Sequence, residues 1–114
     1  MRHPVTIKKN HEFRRLYNKG KSAVSAYHVL YCRKNRLGIN RLGITASTKL
    51  GNAVTRNRVR RRYREIYRQN ETKLAVGYDL VIVARSRCID ADFKALTEDF
   101  LRLCGKVGLR GTAI

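Results

Sequence analysis

The sequence predicts an α+β fold in which helices and a β-sheet form a two-layer sandwich. Three patterns support this prediction. Residues 27–46 alternate with a period of two, apolar residues recur every three to four positions along 51–70 and 90–105, and an unbroken apolar run occupies 80–83. Since a short helix precedes these segments, the predicted order of elements is α-β-β-β-α-β-α.

The first predicted helix begins at Asn10, whose side chain suits an N-cap, and ends at Gly20, which suits a left-handed C′ position. Its apolar stripe contains Phe13, Leu16 and Tyr17. The two rings have two interpretations: they anchor the helix to the core, or they stack on the bases of a single-stranded nucleic acid. Basic neighbours favour stacking, because cations follow the phosphates of such a strand. These neighbours are Arg14, Arg15, Lys19 and Lys21.

A change of period after this helix predicts strands. Residues 27–33 alternate between two faces, and Tyr31 lies on the same face as Tyr27. A turn around Gly38 leads to a second alternating segment at 42–46, so we expect an antiparallel hairpin. A short edge strand is expected just before the hairpin, from Lys21 to Val24.

The segment 51–70 is the most basic part of the chain. As a helix it aligns four apolar side chains in a stripe about 100° wide, which is the width that packing on a core requires. These four are Val59, Tyr63, Ile66 and Tyr67. The rest of its surface carries seven arginines opposed by one acid, Glu65. The arginines are Arg56, Arg58, Arg60, Arg61, Arg62, Arg64 and Arg68.

A solvated helix face is the alternative interpretation of these arginines. Solvated faces usually interleave charges of both signs, whereas this helix carries almost one sign alone. The planar guanidinium fork also suits phosphate oxygens better than lysine does. The pattern therefore predicts contact with a nucleic acid.

The apolar run at 80–83 suits a central strand that is buried on both faces. A final helix follows, capped by Asp90 or Asp92 and ending at Gly105. Its stripe of apolar side chains indicates core packing. The stripe consists of Phe93, Leu96, Phe100, Leu103 and Cys104.

Composition and charge narrow the class of protein. With 114 residues and 13.2 kDa we expect one domain over 1–114, whose ends at 1–9 and 106–114 are poorly ordered. The net charge is +18, and residues 1–70 hold 19 of the 26 basic residues but only two of the eight acids. Three cysteines without a CxxC pair predict buried thiols in a reducing compartment. Without a membrane-length apolar run or a signal peptide, a cytoplasmic location and no membrane partner are expected.

No catalytic or metal-ligating residue is predicted. Two-metal cleavage of a phosphodiester needs clustered carboxylates, and the eight acids form no such cluster in the sequence. The three histidines lack ligand spacing, and no Ser, His, Asp constellation is apparent. We therefore do not expect the isolated protein to cut RNA.

The segment 41–61, RLGITASTKLGNAVTRNRVRR, resembles the signature of the bacterial ribonuclease P protein family. The likeness rests on a strand end that begins with Arg41, on Lys49 in the connection, and on the RNR box at 56–58. Weaker similarity extends it over roughly residues 7–103. One departure is Thr48, where many family members carry a second basic residue.

This resemblance implies a fold whose crossover through the basic helix is left-handed, against the usual rule. It also implies the small subunit of a ribonucleoprotein that removes the 5′ leader of precursor tRNA. Catalysis in that particle belongs to the large RNA and its bound Mg²⁺, so the protein alone binds no cofactor. The implied partners are ribonuclease P RNA and precursor tRNA.

The resemblance further assigns two sets of binding residues. Contact with the catalytic RNA falls to Lys49, Arg56, Asn57, Arg58, Arg61, Arg62 and Arg68. A cleft between the basic helix and one sheet face receives the leader, with rings and guanidinium groups facing one another across it. The leader set is Phe13, Tyr17, Tyr31, Arg56, Asn57, Arg60 and Arg64.

Three competing functions are a stand-alone small nuclease, a ribosomal-type structural RNA-binding protein and a sequence-specific DNA reader. Composition and charge fit the ribosomal alternative equally well, and only the RNR spacing separates it from ribonuclease P. The DNA reader lacks a recognisable helix-turn-helix, and no apolar heptads extend the basic helix into a zipper.

Overall fold

The computed structural model describes residues 5–111. A five-stranded mixed sheet has the order β1-β4-β5-β3-β2, with α1 on one face and with α2 and α3 on the other. The elements are β1 (Val5–Thr6), α1 (Asn10–Lys19), β2 (Lys21–Val24), β3 (His28–Lys34), β4 (Arg41–Thr45), α2 (Ala53–Asn70), β5 (Tyr78–Ala84) and α3 (Phe93–Lys106). The α+β class and the predicted order are confirmed, and the two-residue β1 is an addition.

The predicted hairpin of β3 and β4 is wrong, because β5 lies between these two strands. Ile82 of β5 pairs with Leu30 of antiparallel β3 and with Ile44 of parallel β4. The reason is burial: Leu80, Val81 and Ile82 are all fully buried, as predicted for a central strand. A β3–β4 hairpin would leave this run at a sheet edge, where its backbone groups would lack one set of partners.

The β4-α2-β5 crossover is left-handed. The handedness follows from the chirality of L-residues. Consider a strand that runs upward and a residue whose side chain points toward the observer. The N–H and C=O groups of that residue then point to the observer's right. Leu42 of β4 buries its side chain in the core shared with α2, and its carbonyl accepts a hydrogen bond from the Ile7 N–H after β1. Seen from the α2 side, β1 therefore lies to the right of β4, and β5 lies to the left of β4. The chain leaves β4, crosses in front of the sheet through α2 and returns to its left, which makes the crossover left-handed.

Two predicted cap residues of α1 have other roles. Lys9 takes the N-cap position with no side-chain cap bond, so Asn10 is the first helical residue. Gly20 is extended, with φ −80° and ψ 163°, and is not left-handed. A Cβ there would lie 2.6 Å from the Leu16 carbonyl oxygen and 2.9 Å from that of Cys32. Glycine is therefore required by the close approach of α1 to β3.

Helix α3 begins as predicted but ends later. At its start Asp92 is the N-cap, since its Oδ1 accepts from the Ala95 N–H at 2.7 Å. The helix continues through Gly105, however, and the left-handed residue beyond it is Gly108, at φ 76°. The chain then turns back, and the Leu109 N–H donates to the Cys104 carbonyl at 2.8 Å.

Described residues near both chain ends pack on the fold, while the expected poor order of residues 1–9 and 106–114 stays a prediction. Near the start, β1 pairs with β4 and Ile7 is buried. Near the end, Leu109 is fully buried and the Gly111 N–H donates to the Lys73 carbonyl. Residues 1–4 and 112–114 lie outside the described part of the chain.

A buried polar network joins β3 to both helices of its face. His28 of β3 is fully buried; its Nδ1 lies 2.9 Å from the Tyr63 hydroxyl of α2, and its Nε2 lies 3.4 Å from Asp99 Oδ2 of α3. A neutral ring with its proton on Nε2 suits both neighbours. Burial lowers the pKa of His28 to about 4, although the Asp99 carboxylate opposes this shift.

The three cysteines are buried and unpaired, as predicted. Burial raises the pKa of the Cys32 and Cys88 thiols, and raises that of Cys104 to about 12. These thiols therefore stay protonated and pack as small apolar groups.

Candidate nucleic-acid interface

Helix α2 presents its arginines because its opposite side is fixed in the core. Asn52 caps the helix by accepting from the Thr55 N–H at 2.9 Å. All four residues of the predicted apolar stripe are buried, which confirms the prediction that this side of the helix packs on the core. With the stripe on the sheet, the remaining surface of α2 projects its cations away from the core.

Three of the seven arginines bond to other protein groups: Arg60, which is described below, Arg62 and Arg68. The guanidinium of Arg62 donates to the carbonyls of Cys88 and Ala91 at 3.3 and 2.6 Å, which ties α2 to the connection before α3. Arg68 donates from Nε to Glu65 Oε2 at 3.0 Å, and its hydrogen bond lowers the pKa of the Glu65 carboxyl. Both Arg62 and Arg68 thus use donors within the protein itself.

Arg60 and Arg64 follow one flank of α2 toward β4. Arg60 donates to Asn57 Oδ1 at 3.0 Å and to the Ala46 carbonyl at 3.4 Å, so its guanidinium lies over the end of β4. Together with Arg64 it borders a small pocket of about 260 Å³ whose apolar wall is Leu42 and Ile44.

The remaining cations of the predicted RNA-contact set keep side-chain donors available. Arg58 and Arg61 are exposed on α2, and Lys49 is exposed in the turn before it. Arg56 is half-buried, and its Nε is buried without a hydrogen-bond partner among residues 5–111. This part of the surface can therefore direct cationic donors to an anion.

The three predicted aromatic residues form one cluster on the α1 face. The ring centroids of Phe13 and Tyr17 are 6.5 Å apart, and Tyr17 meets Tyr31 edge-on at 4.9 Å. The Tyr17 hydroxyl lies 3.3 Å from Thr45 Oγ1. Phe13 lies directly over Gly43, where a Cβ would come within 2.7 Å of the ring. Since Tyr17 remains 39% exposed, the cluster offers ring surface to a ligand.

The rings and the Arg60–Arg64 flank do not form facing walls of one channel. The rings pack on the α1 face, whereas α2 packs on the opposite face. The two groups meet around the C-terminal end of β4, where Tyr17 contacts Thr45 and Arg60 contacts the next residue, Ala46. They therefore form one surface that continues around the end of this strand.

Sequence reasoning missed an ion-pair network on the other flank of α1. Arg41 contacts Glu12 at 2.7 Å and donates two hydrogen bonds to Asp79, at 2.8 and 2.7 Å. Burial alone would raise the pKa of Asp79, but hydrogen bonds from Arg41 and Asn35 outweigh it and lower that pKa. Glu12 and Asp79 are 67 residues apart, so no local spacing signals the pair.

Within the described residues, no three His, Cys, Asp or Glu side chains are grouped as a metal site would require. In the same residues, no helix is long and apolar enough to cross a membrane.

The fold and its surface define a small α+β protein whose arginine-rich helix and aromatic cluster meet around the end of β4, which is the chemistry of an RNA-binding protein. Comparisons with known proteins identify the family to which this RNA-binding chemistry belongs. A family model described as Ribonuclease P matches residues 1–108. The chain belongs to the ribonuclease P protein family, which confirms the resemblance and rules out the ribosomal alternative.

Curated relatives agree over most of their length. The ribonuclease P protein component of Natranaerobius thermophilus is 45% identical over 102 residues, covering 90% of this chain and 89% of the relative. That of Clostridium botulinum strain Loch Maree is 47% identical over 104 residues, covering 90% and 94%.

Solved structures agree in fold. The Staphylococcus aureus RNase P protein superposes with a TM-score of 0.83 at 31% identity, covering 93% of this chain and 97% of that one. The Thermotoga maritima protein gives 0.78 at 32% identity, covering 85% and 92%.

Membership in this family makes the chain a protein subunit of ribonuclease P, the endoribonuclease holoenzyme of tRNA 5′ processing. Its partner within the holoenzyme is accordingly the ribonuclease P RNA.

Proposed function

We propose that α2 binds the ribonuclease P RNA while the aromatic cluster binds the 5′ leader of precursor tRNA. The observation that carries this proposal is the fixed orientation of α2: its apolar stripe is buried, so its cations must point outward. Phosphate contacts are assigned to Lys49, Arg56, Asn57, Arg58 and Arg61. Arg62 adds to the local positive field, because its acceptors are neutral carbonyls. Arg68 is paired with Glu65, so its role in this proposal is to hold the surface of α2 in place.

The leader runs over Phe13, Tyr17 and Tyr31 and continues around the end of β4 toward Asn57 and the Arg60–Arg64 flank. Rings that expose a face can stack on any base, so this path favours single-stranded RNA with little sequence preference. The guanidinium groups at the end of β4 then follow the phosphates. Arg56 lies one helical turn before Arg60 and extends the same flank.

The Mg²⁺ ions of the holoenzyme belong to the RNA in this proposal, and the chemistry they supply is cleavage of the phosphodiester bond. Four carboxylates of this chain are engaged by arginines: Glu12 and Asp79 by Arg41, Glu65 by Arg68, and Asp99 by Arg102. A cytoplasmic holoenzyme is part of the same proposal, since its precursor substrate is transcribed there.

Replacing Arg58 and Arg61 by alanine is expected to reduce the salt dependence of binding to ribonuclease P RNA. Each phosphate that is no longer neutralised flattens the slope of log affinity against log salt by about 0.7–0.9, because fewer counterions are released. The slope should therefore fall by roughly 1.5 when two phosphates are affected. Filter binding over a salt series measures it.

The matched control replaces Lys94 and Lys106, two exposed lysines of α3, by alanine. This control removes the same charge from a different helix and should leave the slope near that of the parent protein. If the folded Arg58, Arg61 variant keeps the parent slope, α2 does not bind the RNA through these residues.

A further inference from the structure

A second cationic surface lies on the flank of α1 that faces away from the aromatic cluster. Here α1 and the β3–β4 turn enclose a depression of about 510 Å³, within the range of ~300–1,000 Å³ typical of ligand clefts. Four cations border it: Arg15 of α1, Arg33 and Lys34 at the end of β3, and Arg36 in the turn. We call this depression the Arg36 pocket.

The two acids that line the Arg36 pocket, Glu12 and Asp79, do not neutralise its four bordering cations. Glu12 and Asp79 both contact Arg41, which donates two hydrogen bonds to Asp79 and forms the ion pair with Glu12. Within residues 5–111, none of the four bordering cations takes part in an ion pair. The pocket therefore keeps an excess of positive charge that structural ion pairs do not use.

The turn that carries Arg36 is fixed in place. Asn35 Oδ1 accepts from the Leu37 N–H at 2.8 Å, and its Nδ2 donates to the Ile39 carbonyl at 3.0 Å and to Asp79 Oδ1 at 2.9 Å. Arg36 follows in the left-handed region at φ 62°, which a residue other than glycine seldom adopts. A fixed turn lowers the cost of ordering its cations on a ligand.

The chemistry of the Arg36 pocket selects phosphate over bases. No aromatic ring is among its lining residues, so it offers no ring on which a base could stack. Three of its four bordering cations are arginines, whose forked donors match phosphate oxygens. We propose that the Arg36 pocket binds phosphate groups of an RNA backbone, as a site separate from α2 and from the aromatic cluster. This proposal deepens the proposed function and rests on it, since the phosphates come either from ribonuclease P RNA or from precursor tRNA.

The test replaces Arg15 and Lys34 by alanine and Arg36 by glycine in one variant. Glycine at position 36 removes the charge and relieves the left-handed backbone, so this change should preserve stability. The control replaces three exposed lysines by alanine: Lys73, Lys94 and Lys106. One arm measures binding of each protein to ribonuclease P RNA over a salt series, and the other measures binding of precursor tRNA to the reconstituted holoenzyme.

We expect the pocket variant to flatten the salt slope by about 0.7–0.9 for each phosphate that it no longer binds, and the control to leave the slope unchanged. A change in the first arm identifies ribonuclease P RNA as the source of the phosphates, and a change in the second arm alone identifies precursor tRNA. If the pocket variant matches the control in both arms, the pocket binds no RNA. The Arg58, Arg61 variant runs in parallel. If it flattens the salt slope while the pocket variant matches its control in both arms, only this inference fails. If the Arg58, Arg61 variant leaves the slope unchanged, the proposed function fails.

Discussion

Replacing both Tyr17 and Tyr31 by alanine is expected to weaken binding of precursor tRNA to the ribonuclease P holoenzyme while leaving mature tRNA unaffected. Stacking on a ring contributes about 1–3 kcal/mol per base, so removing the ring beneath one base lowers affinity roughly 5- to 150-fold. Mature tRNA lacks the leader and so never reaches the rings. Equilibrium binding of precursors with leaders of increasing length measures the effect.

Leader length separates this interpretation from simple packing. The two rings contact each other at 4.9 Å, so their removal also weakens local packing. Replacing both by phenylalanine keeps the rings and is the matched control, which should bind precursor tRNA nearly as the parent does. An alanine variant that loses equal affinity for substrates with and without a leader would identify Tyr17 and Tyr31 as packing residues only.

The free energy of unfolding is expected to fall by about 3 kcal/mol as pH decreases from about 6.5 to about 4, because of His28. The folded protein keeps the buried ring neutral until about pH 4, whereas the unfolded chain binds a proton near pH 6.5. The unfolded state therefore binds more protons in this window, and stability is lost as pH falls through it. Urea unfolding at a series of pH values measures the slope, about 1.4 kcal/mol per pH unit.

Two variants isolate the contribution of His28. Replacing His28 by glutamine removes the titrating group, so the decline between pH 6.5 and 5 should disappear even though the variant is less stable throughout. Replacing His11, an exposed residue of α1, by glutamine is the control and should retain the decline. A parent protein whose stability stays level from pH 7 to 5 would contradict the expectation.

This network also bears on the proposed RNA-binding surface, because Tyr63 belongs to the helix that carries the arginines. The contact between the Tyr63 hydroxyl and His28 fixes α2 on β3 in the same turn as Arg62. Stability of the network and orientation of the cationic surface are therefore physically linked.

The sequence by itself determined the helix faces and the charge they present. The stripe of α2 follows from helical period alone, so the outward direction of Arg58 and Arg61 was predictable before any tertiary contact was known. The same holds for the central strand β5, since a run of four apolar residues cannot be exposed on either face without cost. The segment 41–61, which includes the RNR box at 56–58, was enough to indicate the family.

The tertiary structure alone decided which strands are neighbours and which side chains are available to a ligand. Period-two patterns predict that residues 27–46 form strands. In the sheet, however, β3 and β4 are separated by β5, which begins at Tyr78, long after β4 has ended at Thr45. Pairing is set by the burial of every strand together, and no local pattern contains that information.

The same reason applies to the binding surface. The helical period cannot show that Arg62 bonds to carbonyls near α3, that the rings and the Arg60–Arg64 flank lie on opposite sheet faces, or that Arg41 binds two distant acids. These contacts join residues far apart in sequence, and their energies depend on distance and burial in the folded chain. Charge and period therefore determine which groups each element presents, and packing determines where those groups point.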